Sequence, residues 1–532
     1  MPAPYPTLNL IFLALPFGSA FDRRSCFETA TALVKNQSLS PTSHFFFRDT
    51  LDSLAYNGPE NMTLTLEGCN ALCGAEQTWY TDIGPRITIW LVPILLLLAN
   101  VELSPLDKRR FLAILHLLGD PIDSIWSLLH KLDAWDRCSR LAARCSGVCP
   151  SCQGVIASVF AGFEELQGPR ITSERYFGSL LQQRSLAKHF NEWRRAAVRL
   201  ADGRSNEIGR TVLAFVLYIV QLIAAFVPEV GGAPPGPPGG RIATGVLLSW
   251  LVPVIFLSNA IGGLPSHRTA YDILADLAAN TGDKPFHMPH RRSLFLPTFP
   301  SIAQQCYTDY FRALGWSGAI YTYRPWKVRY ISSTHHRHLH TLLLIAFATA
   351  PVLIGLVGGV LILWYQLPTG LNCRHVWLVG VALLWKISAF ITWVSHRPGL
   401  ATGKYHWRLT LIKDICVAGP SVFIMLLSAI GLFNSCWCWS GPFQYPNIGR
   451  VPLPETVYLQ NAKSVYPTIV GVTLLLEVGV CVVVAVVWRR GLRLLRWREK
   501  TRQVEWERVM DGKRCKCMYT GGRSRQSFII HY

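Results

Sequence analysis

Charged residues are scarce in this chain: Asp, Glu, Lys and Arg make up 16% of its 532 residues, whereas apolar residues make up 50%. The charges are also unevenly spread, and several apolar runs contain few or none of them. Runs of roughly 18 residues or more with this composition are typical of membrane-spanning helices, because a bilayer core of about 30 Å needs about 20 helical residues. The sequence therefore predicts an all-α, polytopic transmembrane helix bundle.

Motifs that carry chemistry are missing as well. We find no general acid and base pair, no nucleophile motif, no HExxH zinc motif and no phosphate-binding loop, since residues 399–404 are one residue too short for one. No basic soluble domain is evident, which argues against nucleic-acid binding. The sequence thus assigns no catalytic, cofactor-binding or metal-binding residues, although dispersed residues of a membrane-embedded enzyme would escape this search.

The first apolar run, residues 8–16, is short and is followed by the small residues Gly18, Ser19 and Ala20. This pattern indicates a signal peptide over residues 1–20, with an uncleaved anchor as the alternative because residues 1–7 lack a positive charge. Residues 21–86 would then lie outside the cytosol. Both N-glycosylation sequons of the chain, at Asn36 and Asn61, fall in this segment, and we predict that both carry glycans.

Seven apolar stretches predict membrane spans, at residues 87–101, 211–227, 242–261, 341–365, 376–395, 415–433 and 468–488. The first stretch is short, and tilt or local bilayer thinning would have to accommodate it. Seven crossings from an outer N-terminus place three long segments in the cytoplasm: a section at 102–210, a loop at 262–340 and a basic tail at 489–532. Residues 434–467 then form an outer loop.

The distribution of positive charge agrees with this orientation. Most of the 52 Lys and Arg residues fall in the predicted inner segments, and the predicted outer connections contain few. Cytoplasmic loops of membrane proteins carry such an excess of Lys and Arg. The net charge of +20 also predicts an attraction to anionic lipids of the inner leaflet, in the plasma membrane or an endomembrane.

Six of the 15 cysteines lie in segments predicted to be outside: Cys26, Cys69, Cys73, Cys373, Cys436 and Cys438. An even set in an oxidising compartment is expected to form disulfides, whose connectivity the sequence does not reveal. We therefore expect a small disulfide-bonded outer N-terminal segment. Four further cysteines lie in the inner section, and their spacing leaves zinc binding, acylation and unmodified thiols open: Cys138, Cys145, Cys149 and Cys152.

Two sequence blocks of the chain are distinctive. The first reads EGCNALCG at 67–74, WY at 79–80, GPR at 84–86 and VELSPLDKRR at 101–110. The second reads LPSHRTAYDIL at 264–274. With these blocks the chain resembles a group of uncharacterised fungal multi-spanning membrane proteins. The resemblance extends over most of the chain. It implies location and layout only, and it carries no functional residues over to this chain.

Two opposite charges lie inside predicted spans. Lys386 in the fifth span and Glu477 in the seventh are both about 15 Å deep at 1.5 Å per residue. Because isolated charges at such depth are costly, we predict that the two residues form an ion pair. The pair would either hold two helices in register or gate an ion or proton path.

Apolar residues recur at helical spacing beside Lys and Arg in the predicted inner section, at 111–118 and 185–200. Such helices either lie on the inner leaflet or pack on the cytoplasmic ends of the bundle. Taken together, these features favour a receptor-like or scaffolding membrane protein with unknown protein partners. The alternative is a transporter or channel that uses Lys386 and Glu477.

Overall fold

The computed structural model describes residues 23–40, 42–47, 62–73, 95, 98–99, 101, 110–146, 150–166, 189–204, 208–226, 239–262, 267–280, 316–317, 320–321, 336–366, 369–395, 404–430, 433, 435–441, 449–453 and 456–495. The description below concerns these residues. They are predominantly helical, and their few strands are two or three residues long.

In chain order the first elements are α1 (Arg23–Lys35), β1 (Thr63–Thr65), α2 (Leu66–Cys73), α3 (Arg110–Gly119), α4 (Pro121–Ser146), α5 (Pro150–Leu166), α6 (Phe190–Asp202) and α7 (Ile208–Phe226). There follow α8 (Gly239–Leu247), a 3-10 turn (Leu248–Trp250), α9 (Leu251–Ile261), α10 (His267–Asn280), β2 (Trp316–Ser317) and β3 (Ile320–Tyr321). The last elements are α11 (His336–Trp364), α12 (Cys373–Ser395), α13 (Lys404–Ile430), α14 (Cys436–Trp439), β4 (Arg450–Pro452), α15 (Thr456–Val487) and α16 (Arg489–Leu495).

Five helical segments among the described residues are long and apolar enough to cross a membrane: Ile242–Ile261, Leu342–Trp364, Cys373–Val394, Leu409–Ser428 and Ser464–Val487. They coincide with five of the seven predicted spans. The predicted span 87–101 lies almost entirely outside the described residues, and 211–227 falls on α7, which is not among the five. The sixth predicted span starts at residue 415, whereas α13 starts at Lys404 and its candidate span at Leu409.

The five candidate spans differ in how much of their surface other helices cover. The α8–α9 segment is 94% buried, so it forms the centre of the bundle, whereas the α15 segment is 22% buried. Large apolar side chains such as Leu353, Ile412 and Leu475 are exposed on α11, α13 and α15. Such surfaces suit contact with lipid.

Small residues allow α11 to approach the central helix closely. A Cβ atom at Gly355 would lie 2.9 Å from the Val246 carbonyl oxygen, and one at Gly359 would lie 3.1 Å from the Ala243 carbonyl oxygen. Close backbone approach through glycine is typical of helix packing inside membranes.

Helix α4, from the predicted cytoplasmic section 102–210, packs on several of these candidate spans. It packs on α9, α11 and α12 as well as on α5 and α16. From Pro121 to Asp136 its side chains are almost all buried. The sequence did not reveal this because α4 carries several charges, which lower its mean hydropathy below that of a span.

The amphipathic helix α6 packs on other helices through its apolar face. Trp193, Ala197 and Leu200 are buried, and the helix contacts α5 and α10. Arg195 and Arg199 on its opposite face are exposed. In the structure this segment therefore uses its apolar face for helix packing.

A second, smaller hydrophobic core lies in what we call the cysteine unit, residues 23–47, 62–73, 435–441 and 449–453. Its strands β1 and β4 pair antiparallel, with Leu64 opposite Val451. Phe46, Met62 and Trp439 fill the core between them. The N-terminal segment and the connection between α13 and α15 thus form one folded unit.

Candidate functional site

A buried polar network occupies the junction of α3 and α4. The helical hydrogen bonds run across this junction, since the Asp120 N–H donates to the His116 carbonyl at 2.7 Å and the Ser124 N–H to the Asp120 carbonyl at 3.0 Å. Pro121 begins α4, and the Asp120 carboxylate caps it by accepting from the Asp123 N–H at 3.0 Å. His116, Asp120 and Asp123 therefore lie on one helical face at positions i, i+4 and i+7.

Lys413 of α13 supplies the cation of this network. Its Nζ atom donates to Asp120 Oδ2 at 2.7 Å, to Ser388 Oγ at 2.8 Å and to Thr392 Oγ1 at 2.7 Å. Thr392 also donates to Asp120 Oδ2 at 2.7 Å. The three N–H groups of the ammonium are thereby directed to α12 and to the α3–α4 junction.

The neighbouring Asp414 faces both basic residues of the network. Its Oδ1 atom lies 2.9 Å from Lys413 Nζ, but it receives no hydrogen bond from the described residues because three other acceptors use the N–H groups. Its Oδ2 atom lies 2.8 Å from His116 Nδ1. The other ring nitrogen, His116 Nε2, lies 3.0 Å from Asp123 Oδ2.

The protonation of this network is constrained by its geometry. Each nitrogen of His116 faces a carboxylate oxygen, and a neutral imidazole has only one N–H to donate. Either the ring carries both protons, or one of the two carboxyl groups is protonated. Among the described residues the network brings together three carboxyl groups, from Asp120, Asp123 and Asp414, and two basic side chains, from His116 and Lys413.

The network lies inside the bundle, and its position can be given relative to the ends of two candidate spans. Thr392 belongs to Cys373–Val394 and Lys413 to Leu409–Ser428, each about two turns or less from the span end. The Trp385 indole N–H donates to the Leu118 carbonyl at 2.9 Å, which fixes the end of α3 against α12. All ionisable side chains of the network are less than one-tenth exposed. Ionisable groups in such positions are usually functional.

The structure does not bring Lys386 and Glu477 together. Glu477 is fully buried on α15 and accepts a hydrogen bond from Ser249 Oγ at 3.1 Å, while Lys386 is exposed on α12. Among the described residues neither forms an ion pair with the other. The prediction rested on equal depth, and depth does not determine which face of a helix a side chain occupies.

Glu477 instead marks a second buried acidic position. Its partner Ser249 lies in the 3-10 turn that interrupts α8–α9, four residues before Pro253, which has no N–H to continue the helical ladder. The Glu477 Oε2 atom receives no hydrogen bond from the described residues. Tyr218 of α7 donates to the Gly245 carbonyl at 2.9 Å on the same segment.

The six predicted disulfide cysteines lie in three pairs at disulfide distance. The Cα atoms are 5.1 Å apart for Cys26 and Cys73, 5.8 Å for Cys69 and Cys436, and 5.5 Å for Cys373 and Cys438. The second pair connects α2 with α14, and the third connects α12 with α14. The Cys69–Cys436 pair therefore lies within the cysteine unit, whereas the Cys373–Cys438 pair connects the unit to α12 of the bundle.

Asn36 is exposed at the end of α1, in a turn where Gln37 has a φ of 57°. Asn61 lies outside the described residues, as do the side chains of Cys145, Cys149 and Cys152. Cys138 is buried in α4.

The network residues escaped sequence analysis for two reasons. Lys413 and Asp414 were counted as cytoplasmic because they lower the hydropathy at the start of their span. The i, i+4, i+7 spacing of His116, Asp120 and Asp123 in a segment rich in leucine is a signal that identifies one polar helical face.

Comparison of the chain with protein-family models, curated proteins and solved structures finds no match. The geometry alone therefore supports the proposals that follow.

Proposed function

We propose that the chain is a multi-spanning membrane protein of the secretory pathway that works as a receptor-like coupler. In this proposal the signal peptide is removed, the cysteine unit is disulfide-bonded and faces outside, and α5, α6, α10 and α16 face the cytosol. The observation that carries the proposal is the buried network, because it joins α4 to both α12 and α13.

A continuous path leads from the cysteine unit to the network. Helix α12 begins at Cys373, which is paired with Cys438, and reaches Ser388 about 22 Å further along. Helix α13 carries Lys413 and ends shortly before Cys436, which is paired with Cys69. A displacement of the cysteine unit is therefore transmitted to both helices that hold Asp120.

The path continues from the network along α4 to α16. The Trp488 indole N–H donates to Asp133 Oδ1 at 3.2 Å, and the Gly491 N–H donates to Asp136 Oδ1 at 3.3 Å. These bonds attach α4 to α16. The contacts of α4 with α5 extend the connection to α6 and α10.

A rearrangement of the hydrogen bonds at the junction provides a means of switching this path, because His116 lies between the carboxyl groups of Asp123 and Asp414. The two arrangements would differ in how α4 is held between α12 and α13.

The test places a perturbation at one end of the path and a reporter at the other. The full chain is reconstituted in lipid nanodiscs, the Cys373→Ser/Cys438→Ser variant releases the cysteine unit from α12, and hydrogen exchange is measured across α4 and α6. We expect faster exchange in α4 and α6 than in the wild type. In a Lys413→Met background, release of the cysteine unit should increase the exchange rates only a little further, because the path is already interrupted at the network.

Lys386→Met is the matched control background, since Lys386 is an exposed lysine on α12 outside the network. In that background the release should have its full effect. Unchanged exchange in α4 and α6 after release of the cysteine unit would contradict the coupling.

The burial of five ionisable side chains in one network favours a second candidate, a proton-coupled transporter or channel. It would use Asp120 and His116 in place of the predicted Lys386 and Glu477 pair. Vesicles that contain the chain and a trapped pH dye distinguish the two candidates: transport predicts a proton flux above that of empty vesicles that Asp120→Asn abolishes, whereas a receptor-like coupler predicts no such flux.

A further inference from the structure

A cleft of about 550 Å³ lies where α15 ends and α16 begins, beside α4. Its walls carry four arginines and one carboxylate, from Arg140, Arg489, Arg490, Arg493 and Asp136. Val486 and Val487 complete the lining. The cleft therefore has a strongly basic wall and an apolar wall.

The carboxylate in this cleft, that of Asp136, already interacts with other groups of the chain. Asp136 accepts from the Gly491 N–H through Oδ1, and its Oδ2 atom lies 3.3 Å from Arg140 Nη1. Arg489, Arg490 and Arg493 are exposed, and within the described part of the chain no hydrogen bond or ion pair involves their side chains. Three guanidinium groups thus remain without a counter-charge from the described residues.

The apolar wall belongs to the last turn of the candidate span Ser464–Val487. Val486 is 68% exposed and Val487 55% exposed, which suits contact with acyl chains. The basic wall follows directly on the last residue of this candidate span, Val487. An amphipathic anion matches both walls, whereas a soluble phosphate matches only one.

We infer that this cleft binds the phosphate head group of an anionic inner-leaflet lipid, with its acyl chains along Val486 and Val487. Guanidinium groups bind phosphate oxygens in a bidentate manner, and juxtamembrane arginines are attracted to anionic leaflets. The inference rests on the proposed orientation, in which α16 faces the cytosol. It adds a defined site and a ligand class to that proposal.

Occupancy of the cleft would affect the coupling path. Arg140 belongs to α4, and the other three arginines belong to α16, so one phosphate group bridges the two helices. This bridge reinforces the bonds of Trp488 and Gly491 to α4. The lipid is therefore expected to act as a regulator that holds α4 against α16.

The test measures lipid binding by the full chain in detergent micelles, with native mass spectrometry as the readout. The probes are a phosphatidylinositol bisphosphate, phosphatidylserine, phosphatidylcholine and soluble inositol trisphosphate. We expect both anionic lipids to bind more tightly than phosphatidylcholine. Each arginine replaced by glutamine should weaken their binding about fivefold, the factor that corresponds to roughly 1 kcal/mol.

The matched control removes three arginines from another helix of the same end, α6, as Arg194→Gln/Arg195→Gln/Arg199→Gln. The inference expects this variant to bind the anionic lipids like the wild type, and Arg489→Gln/Arg490→Gln/Arg493→Gln to lose most of the binding. A variant with lysine at the same three α16 positions should retain part of the binding of anionic lipids. The lysine variant also shows whether a loss reflects charge or misfolding.

Two outcomes would overturn the inference. Equal losses in the α6 and α16 variants would mean that net charge alone attracts the lipid. Binding of inositol trisphosphate as tight as that of the lipid would assign the cleft to a soluble phosphate. Neither outcome bears on hydrogen exchange after release of the cysteine unit, so the lipid site and the proposed function are tested independently.

Discussion

At the scale of single residues, one ammonium group connects three helical segments. Lys413 contacts Asp120 at the α3–α4 junction and Ser388 and Thr392 on α12, while it belongs to α13 itself. A buried ion pair contributes little net stability compared with an apolar packing of the same shape, but removal of one partner leaves an uncompensated charge. The importance of Lys413 therefore depends on its partners remaining in place.

We predict that Lys413→Met lowers the free energy of unfolding by roughly 3 to 5 kcal/mol, because Asp120 and Asp414 lose their cation. The measurement is chemical unfolding in detergent micelles followed by tryptophan fluorescence. Lys386→Met is the control, and as an exposed site it should change stability by less than about 0.5 kcal/mol. Similar losses for both variants would show that Lys413 is not held as described.

At the scale of helical elements, the approach of α3 to α13 depends on Gly119. A Cβ atom at this position would lie 2.9 Å from the Asp414 carbonyl oxygen and 3.2 Å from its Cα atom. Both neighbours are backbone atoms of a helix, so they cannot move aside as a flexible side chain does. The glycine thus fixes the distance between His116 and Asp414.

Gly119→Ala is therefore expected to lower the free energy of unfolding by roughly 1 to 3 kcal/mol, as overpacking does elsewhere. Gly419→Ala on α13 is the matched control, since its Cβ would meet no atom within 4 Å. In a helix interior that control should be neutral or slightly stabilising, because alanine has the higher helix propensity. If both glycines tolerate alanine equally, α3 does not contact α13 at this point.

The sequence predicts elements of this fold better than their contacts. Five spans follow from hydropathy alone, and the six cysteines were selected because of the side of the membrane on which they were expected. Their connectivity was not predictable, since Cys69 and Cys436 are 367 residues apart and meet only because β1 pairs with β4. The packing of α4 among the spans was missed because its charges lower its mean hydropathy below that of a span.

At the scale of the whole molecule, the Cys373–Cys438 pair lies between the cysteine unit and one end of α12, and the network connects α12 to the α3–α4 junction toward its other end. This arrangement gives the cysteine unit a fixed position relative to α4. Its orientation across the membrane and the resemblance to fungal membrane proteins remain predictions. The exposed turn at Asn36 offers a direct test of the orientation.

We expect Asn36 and Asn61 to carry glycans when the chain is made in a eukaryotic host. Glycosidase treatment should increase electrophoretic mobility of the wild type, because each glycan adds mass. The Asn36→Gln/Asn61→Gln variant should show no change on treatment. A wild-type sample without a shift would place the N-terminal segment on the cytosolic side.

The central claim is that the α3–α4 junction and α13 are joined by a buried ion pair, and a double-mutant cycle tests it most directly. The cycle compares the free energies of unfolding of Lys413→Met, Asp120→Asn and the double variant in detergent micelles. We predict a coupling energy of about 1 kcal/mol or more, with the double variant less destabilised than the sum of the single variants, since residues in one buried network are not additive. Additive effects of the two substitutions would mean that Lys413 and Asp120 do not meet, and they would contradict the coupling of the cysteine unit to α4.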